Sequence, residues 1–394
     1  MRDHLRDRLS FEEILTLAER ETGAYGVADN GLRERVSGFI GWINDRGPYT
    51  PEQVRAMSDQ IKRVLATRLK LALDRRSHPA IAEVSIERPI FIIGFARTGT
   101  TVLHTLLAED PEMLSLESWH MFSPSPPPGA GPVAAERIAY ANRMVEAWMD
   151  FCPAQKPMHP YIDKLAHQPI EDEEAFSLDF HNAYPYQFYR VPVLEPGAVA
   201  LGKDQVAGFS FHRTLLQHLQ WNTGRRQWVC KGNTHPMNLE ALLQVYPDAL
   251  CIWTHRPPEE VYASNVALRS AIFDTIQGRP NDWSTQAKEV VLRMKDSVDR
   301  LLGNTLIDDP RILHVNFREI AADPMAVLRK IYAHHGLAVS PAFESRAKAW
   351  LASAENSADR FGRYPYSYDA FGLDRAWVEE LFADYRKRFV PASL

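Results

Sequence analysis

The sequence is poor in several things, and each shortage excludes a class of protein. Three cysteines, Cys152, Cys230 and Cys251, are spread through 394 residues with no CxxC pair. A disulfide framework and a zinc finger are both excluded, and buried free thiols in a reducing compartment are expected. No apolar run reaches the length of a membrane span, and the N-terminus lacks the apolar core of a signal peptide. Net charge is small, 45 Lys and Arg against 50 Asp and Glu. Neither a nucleic-acid partner nor an anionic membrane partner follows from that balance. The chain reads as cytoplasmic.

A lysine is also missing where one would matter. An apolar strand, Ile90–Ile93, runs into Gly94-Phe-Ala-Arg97-Thr98-Gly99-Thr100-Thr101, and a helical pattern follows. Strand, glycine loop and helix are the parts of a phosphate-binding loop: inward-turned N–H groups and a helix start favour an oxyanion. Thr100 stands where the nucleoside-triphosphate version has Lys, and the basic residue is Arg97. ATP or GTP hydrolysis is poorly served, whereas a phosphosulfate or a diphosphate is not excluded.

Two regions are expected. Residues 1–85 read as helices: Ser10-Phe-Glu-Glu13 and Thr50-Pro-Glu-Gln53 are capping boxes, and an apolar stripe runs from Val54 to Ala72 at helical spacing. These helices are expected to pack on the core or against a second copy, as in a homodimer. Residues 86–394 alternate short strands (Ile90–Ile93, Gln227–Cys230, Leu250–Thr254, Ile312–Val315) with helices (Pro236–Tyr246, Glu259–Arg269, Trp283–Leu302). The fold class is therefore α/β, a parallel sheet flanked by helices with an N-terminal all-helical region. Ligands in such folds bind at the carboxyl ends of the strands. At one such end Arg256 precedes a helix carrying Ser264, a guanidinium and a hydroxyl suited to a second phosphate. Two anion sites at neighbouring strand ends suit a nucleotide phosphorylated at both its 5′ and 3′ positions.

With Trp228-Val-Cys-Lys-Gly-Asn-Thr-His235, Tyr246-Pro-Asp-Ala249, Asp323-Pro324 and Tyr368-Asp-Ala-Phe-Gly372 added in order, the chain resembles the bacterial sulfotransferases that use 3′-phosphoadenosine-5′-phosphosulfate (PAPS). The resemblance spans about residues 88–390 and implies a sheet of the P-loop nucleotide-kinase kind, PAPS as co-substrate and no metal. It implies that Arg97, Thr98, Gly99, Thr100 and Thr101 hold the 5′-phosphosulfate. Arg256 and Ser264 would hold the 3′-phosphate, with Arg360 or Arg363 closing over it. Lys231 and Arg97 would stabilise charge growing on the leaving phosphate. The acceptor hydroxyl also needs a base. His120 and His235 are the candidates, and Glu117 and Glu171 stand next should neither histidine serve. The acidic run Glu171–Glu174, followed by Phe176, Phe180 and Tyr184, borders the acceptor side by the same resemblance, and implies an aromatic or lipophilic alcohol or phenol. The same aromatics suit a core equally well. Competing readings are a P-loop kinase or other NTPase, and a catalytically silent member that binds a nucleotide.

Overall fold

The N-terminal helices begin where the sequence supplies caps. Helix α1 (Phe11–Thr22) starts at Ser10, whose hydroxyl accepts from the Glu13 N–H, and ends at Gly23 with φ of 69°. Helix α2 (Asn30–Asn44) is capped by Asp29, and α3 (Pro51–Ser77) by the reciprocal Thr50/Gln53 box with Pro51 in the first turn. The computed structural model describes residues 8–182, 204–357, 359–362 and 364–390.

Five parallel strands follow: β1 (Ile90–Ile93), β2 (Met113–Ser115), β3 (Gln227–Gly232), β4 (Leu250–His255) and β5 (Ile312–Asn316), in the order β2-β3-β1-β4-β5. Every residue of β1 is buried, as expected of a parallel strand covered on both faces. Alternate side chains go to opposite sides. Phe91 and Ile93 join Cys230, Cys251 and Trp253 in a core shared with Phe39, Ile61 and Leu65 of the N-terminal helices. Ile90 and Ile92 face Leu103, Leu106 and Leu328 on the other side. The helical region is thus one cover of the sheet. Each fully buried aliphatic of its stripe contributes about 1.5–3 kcal/mol. It is also anchored by charge: Arg35 of α2 and Arg68 of α3 both pair with the buried carboxylate of Asp179.

Strand β2 is an element the hydrophobic pattern does not announce, since it is three residues long and pairs only through Met113–Ser115. The expected helix Pro236–Tyr246 is divided into a 3-10 turn, His235–Asn238, and an α-helix, Leu239–Val245. All three cysteines are buried and unpaired. Among the described residues no helix is long and apolar enough to cross a membrane.

Candidate active site

Because β1 lies between β3 and β4, the loop that leaves it sits between the ends of both. Register sets Ile93 opposite Gly232 on one side and Trp253 on the other. The loop's shape is fixed by close approach. A Cβ on Gly94 (φ 151°) would lie 2.5 Å from Thr254 Oγ1, and one on Gly99 (φ 95°) 2.7 Å from the Phe317 ring. Thr98 is buried, donates to the Phe95 carbonyl at 2.7 Å and lies 2.7 Å from Thr254 Oγ1. Its hydroxyl therefore shapes the loop from behind and is turned away from any ligand. Arg97 takes a left-handed backbone (φ 74°), a strained state for a non-glycine residue that its surroundings impose. Helix Thr100–Leu107 starts at once, with Thr100 buried and Thr101 at the open edge.

On the β4 side the structure gathers cations. Arg97 donates through Nε to Ser264 Oγ at 3.0 Å and through Nη1 to the Met158 carbonyl at 2.8 Å. No carboxylate pairs with it among the described residues. Arg256 donates to the Arg97 carbonyl at 3.3 Å, pairs with Glu260 at 3.1 Å and stacks over the Phe317 ring at 4.4 Å. Burial pushes the Arg97 pKa down, and the Arg256 guanidinium adds to that. Arg97 from the phosphate loop and Arg256 and Ser264 from the β4 end and its following helix thus meet at one place. Two guanidiniums so close favour an anion between them.

On the β3 side two segments clasp residue by residue. Glu171 Oε1 accepts from Lys231 Nζ at 2.9 Å and from Asn233 Nδ2 at 2.7 Å. Asp172 meets His235 Nε2 at 2.7 Å. Glu173 accepts from the Thr234 N–H at 2.7 Å and its hydroxyl at 2.8 Å. Lys231 Nζ also lies 3.3 Å from Thr101 Oγ1, so it bridges the clasp and the phosphate loop. Of the three acids only Glu171 reaches solvent: its side chain is 14% exposed, against none for Asp172. Burial pushes the Glu171 carboxyl up, but Lys231 and Asn233 outweigh it and hold the group below the ordinary carboxylate range.

The remaining expected residues scatter. His235 is wholly buried behind Lys231, 5.2 Å from the Phe209 ring and 5.6 Å from Phe91, with no surface for an acceptor. His120 uses Nδ1 to accept from the Glu117 N–H at 2.9 Å. Burial pushes it to about 4, and the charged groups it feels, Glu117, Arg137, His167 and His218, all lie away from the phosphate loop. It lines a separate groove of about 470 Å³ beside β2, together with Glu117 and His167. Phe176 and Phe180 are core residues, edge-on to Phe209 at 5.1 Å and 6.0 Å from Phe39. A substrate surface is not where they lie. Arg360 pairs with Asp163 and stacks on Tyr161. Tyr184 and Arg363 fall outside the described residues. One neighbour was not foreseen: His159, beside the carbonyl that holds Arg97, feels Arg97, Glu171 and Lys231, and burial pushes it to about 4. Nothing in Met158-His159-Pro160 marks it locally, because only the fold brings it there.

A parallel sheet with a glycine loop set between two cation-bearing strand ends is a P-loop-type fold with an anion-suited site at the loop. The family model of the Sulfotransferase family matches residues 89–341. The chain belongs to that family, and is a sulfuryl-transferring enzyme. Two mycobacterial relatives, the omega-hydroxy-beta-dihydromenaquinone-9 sulfotransferases Stf3 of Mycobacterium bovis and Mycobacterium tuberculosis, are each 27% identical over 333 residues, 81% of this chain and 79% of theirs. The crystal structure of sulfotransferase STF9 from Mycobacterium avium superposes with a TM-score of 0.77 at 26% identity, covering 99% of this chain and 98% of that one. Sulfotransferase STF1 from Mycobacterium tuberculosis H37Rv gives 0.70 at 22% identity, over 96% of this chain and 99% of its own, a likeness of fold alone.

Proposed function

We propose that the enzyme transfers the sulfuryl group of PAPS to the hydroxyl of a small aromatic or lipophilic acceptor, with Glu171 as the base. The observation that carries this is the placing of two unlike sites on either side of one phosphate loop. Arg256 and Ser264 suit the 3′-phosphate; Arg97, Thr101, the loop N–H groups and Lys231 suit the 5′-phosphosulfate. Glu171 stands across Lys231 from the loop and is the exposed member of its clasp. This assigns to a carboxylate the proton transfer that His120 and His235 were expected to perform.

Glu171 is ionised at neutral pH, so it is ready to accept a proton. The acceptor oxygen forms its bond to sulfur as the bond from sulfur to the phosphate oxygen breaks, and the acceptor's proton passes to Glu171. Lys231 shares its ammonium between Glu171 and the loop. As charge grows on the leaving phosphate, Lys231 is drawn toward it, and the carboxylate it releases becomes a stronger base. The acceptor named for the Stf3 relatives, a hydroxyl-bearing menaquinone derivative, supports a lipophilic alcohol here. The test is incubation with ³⁵S-labelled PAPS and a panel of lipophilic alcohols, phenols and amines. Labelled product from an alcohol or phenol, with stoichiometric release of adenosine 3′,5′-bisphosphate, is expected. Phosphoryl transfer from ATP with Mg²⁺ and none from PAPS would establish the kinase reading instead.

A further inference from the structure

Behind Glu171 lies a chain of buried polar groups that the transfer chemistry does not touch. Asp172 meets His235 Nε2 at 2.7 Å on one oxygen and His212 Nε2 at 3.3 Å on the other. His212 Nδ1 is 2.8 Å from the Tyr246 hydroxyl. Neither the Asp172 nor either imidazole side chain has any exposure. Such a group of charges is costly in an apolar core unless it serves geometry or function. We infer that the Asp172–His235 pair, backed by His212 and Tyr246, is a positioning device that balances charge behind Glu171 and holds its carboxylate against Lys231.

The argument rests on Glu171 being the base. Asp172 is the next residue along the chain, and His235 lies four residues beyond Lys231, so the pair ties together the two segments whose exposed ends are Glu171 and Lys231. The groups facing Glu171 are Lys231 and Asn233 from β3 and its extension, and His159 from the preceding segment. Those facing His235 are Asp172, Glu173 and Glu171. Burial alone pushes His235 down, and these acids reverse it to a net rise, while both imidazoles bring Asp172 well below the ordinary carboxylate range despite its burial. The contact at 2.7 Å and the two shifts both favour the charged forms of the pair, so removing one partner leaves the other without its counter-charge beside Glu171. Asp172, His212 and Cys230 also bring three donor atoms within 4.8 Å of one another. Asp172 is already hydrogen-bonded to His235 at 2.7 Å and His212 to Tyr246 at 2.8 Å, which commits one donor atom of each to the protein rather than to a metal.

The test reads Glu171 directly, without an acceptor. In protein labelled with [δ-¹³C]glutamate, the Glu171 resonance is the one absent from Glu171→Gln. His235→Gln leaves the Asp172 anion unbalanced, and should raise the Glu171 titration midpoint by about one unit and lower turnover about tenfold or more, with adenosine 3′,5′-bisphosphate affinity unchanged. Adding Asp172→Asn to that variant restores neutrality and should return the midpoint toward the wild-type value. Asp172→Asn alone, the arm to use should the first variant not fold, must not raise it. An unmoved midpoint in His235→Gln, a rise in Asp172→Asn, or stoichiometric zinc in the purified protein would each overturn the inference. Full turnover in Glu171→Gln would instead overturn the base assignment, a separate outcome.

Discussion

The two flanks of the phosphate loop are built on opposite principles. Toward β4, Arg97 is held by a hydroxyl and a carbonyl, and Arg256 by a carbonyl and a half-exposed glutamate. Neutral partners and a weak surface pair leave positive charge to be matched. Toward β3, each of three consecutive acids already has its partner: Lys231 and Asn233, His235, and Thr234. One flank is ready to receive an anion. The other has its charges already balanced, with Lys231 shared between Glu171 and Thr101. On the proposed mechanism, binding and proton transfer are divided between two strand ends, and separate substitutions should separate them.

The largest effect is expected on the balanced flank. Glu171→Gln should lower turnover by about 10²–10⁴-fold, the span for loss of a general base, in the ³⁵S transfer assay. Arg256→Ala tests the other flank: affinity for adenosine 3′,5′-bisphosphate should weaken by about 1.5–3 kcal/mol, while adenosine 5′-monophosphate is much less affected. Equal weakening of both ligands would give Arg256 a structural role. Gly94→Ala strikes the loop that separates the flanks. Its Cβ would lie 2.9 Å from the Thr254 carbonyl, at a φ of 151° that side chains rarely adopt. A cost of about 1–3 kcal/mol in stability, read by denaturant unfolding, is expected, with both flanks impaired together.

How far the sequence foretold these flanks differs between them. The phosphate loop, its strand and the β4 cations are local features: Gly94 and Gly99 in one run, Arg256 at a strand end, Ser264 two helical turns on. Helix Trp283–Leu302 has in the structure the bounds expected from the sequence. The β3 flank is a meeting of distant segments. Glu171-Asp172-Glu173 has the composition of a solvated first helical turn, yet all three turn inward because Lys231 to His235 lies opposite. Fourteen histidines offered no local mark of which would be buried as a pair, and His159 reaches Arg97 and Glu171 only through the fold. Phe176 and Phe180 read equally as substrate wall or core until their packing on Phe209 and Phe39 decided for the core.

The smallest expected effect is on acid stability, and it sharpens the contrast between buried imidazoles with and without a carboxylate hydrogen bond. Burial pushes His104 to about 3 and His120 to about 4. Each binds its proton more readily unfolded, so stability is lost as pH falls below about 6.5, by about 1 kcal/mol per group at pH 5.5. His235 has the opposite sign: raised by its acids, it contributes stability that is complete below about 6.5 and lost as pH rises through its folded value. The melting temperature should fall from pH 7 to pH 5.5, and His104→Gln should flatten that fall. A flat profile in the wild type would mean these imidazoles are not held neutral.

The division of labour is tested most directly by calorimetric binding of adenosine 3′,5′-bisphosphate, without Mg²⁺, to the wild type, Arg256→Ala and Glu171→Gln side by side. Glu171→Gln, which frees Lys231, should bind as tightly as the wild type or more tightly, while Arg256→Ala weakens binding by about tenfold or more. Equal loss of affinity in both variants would contradict the account.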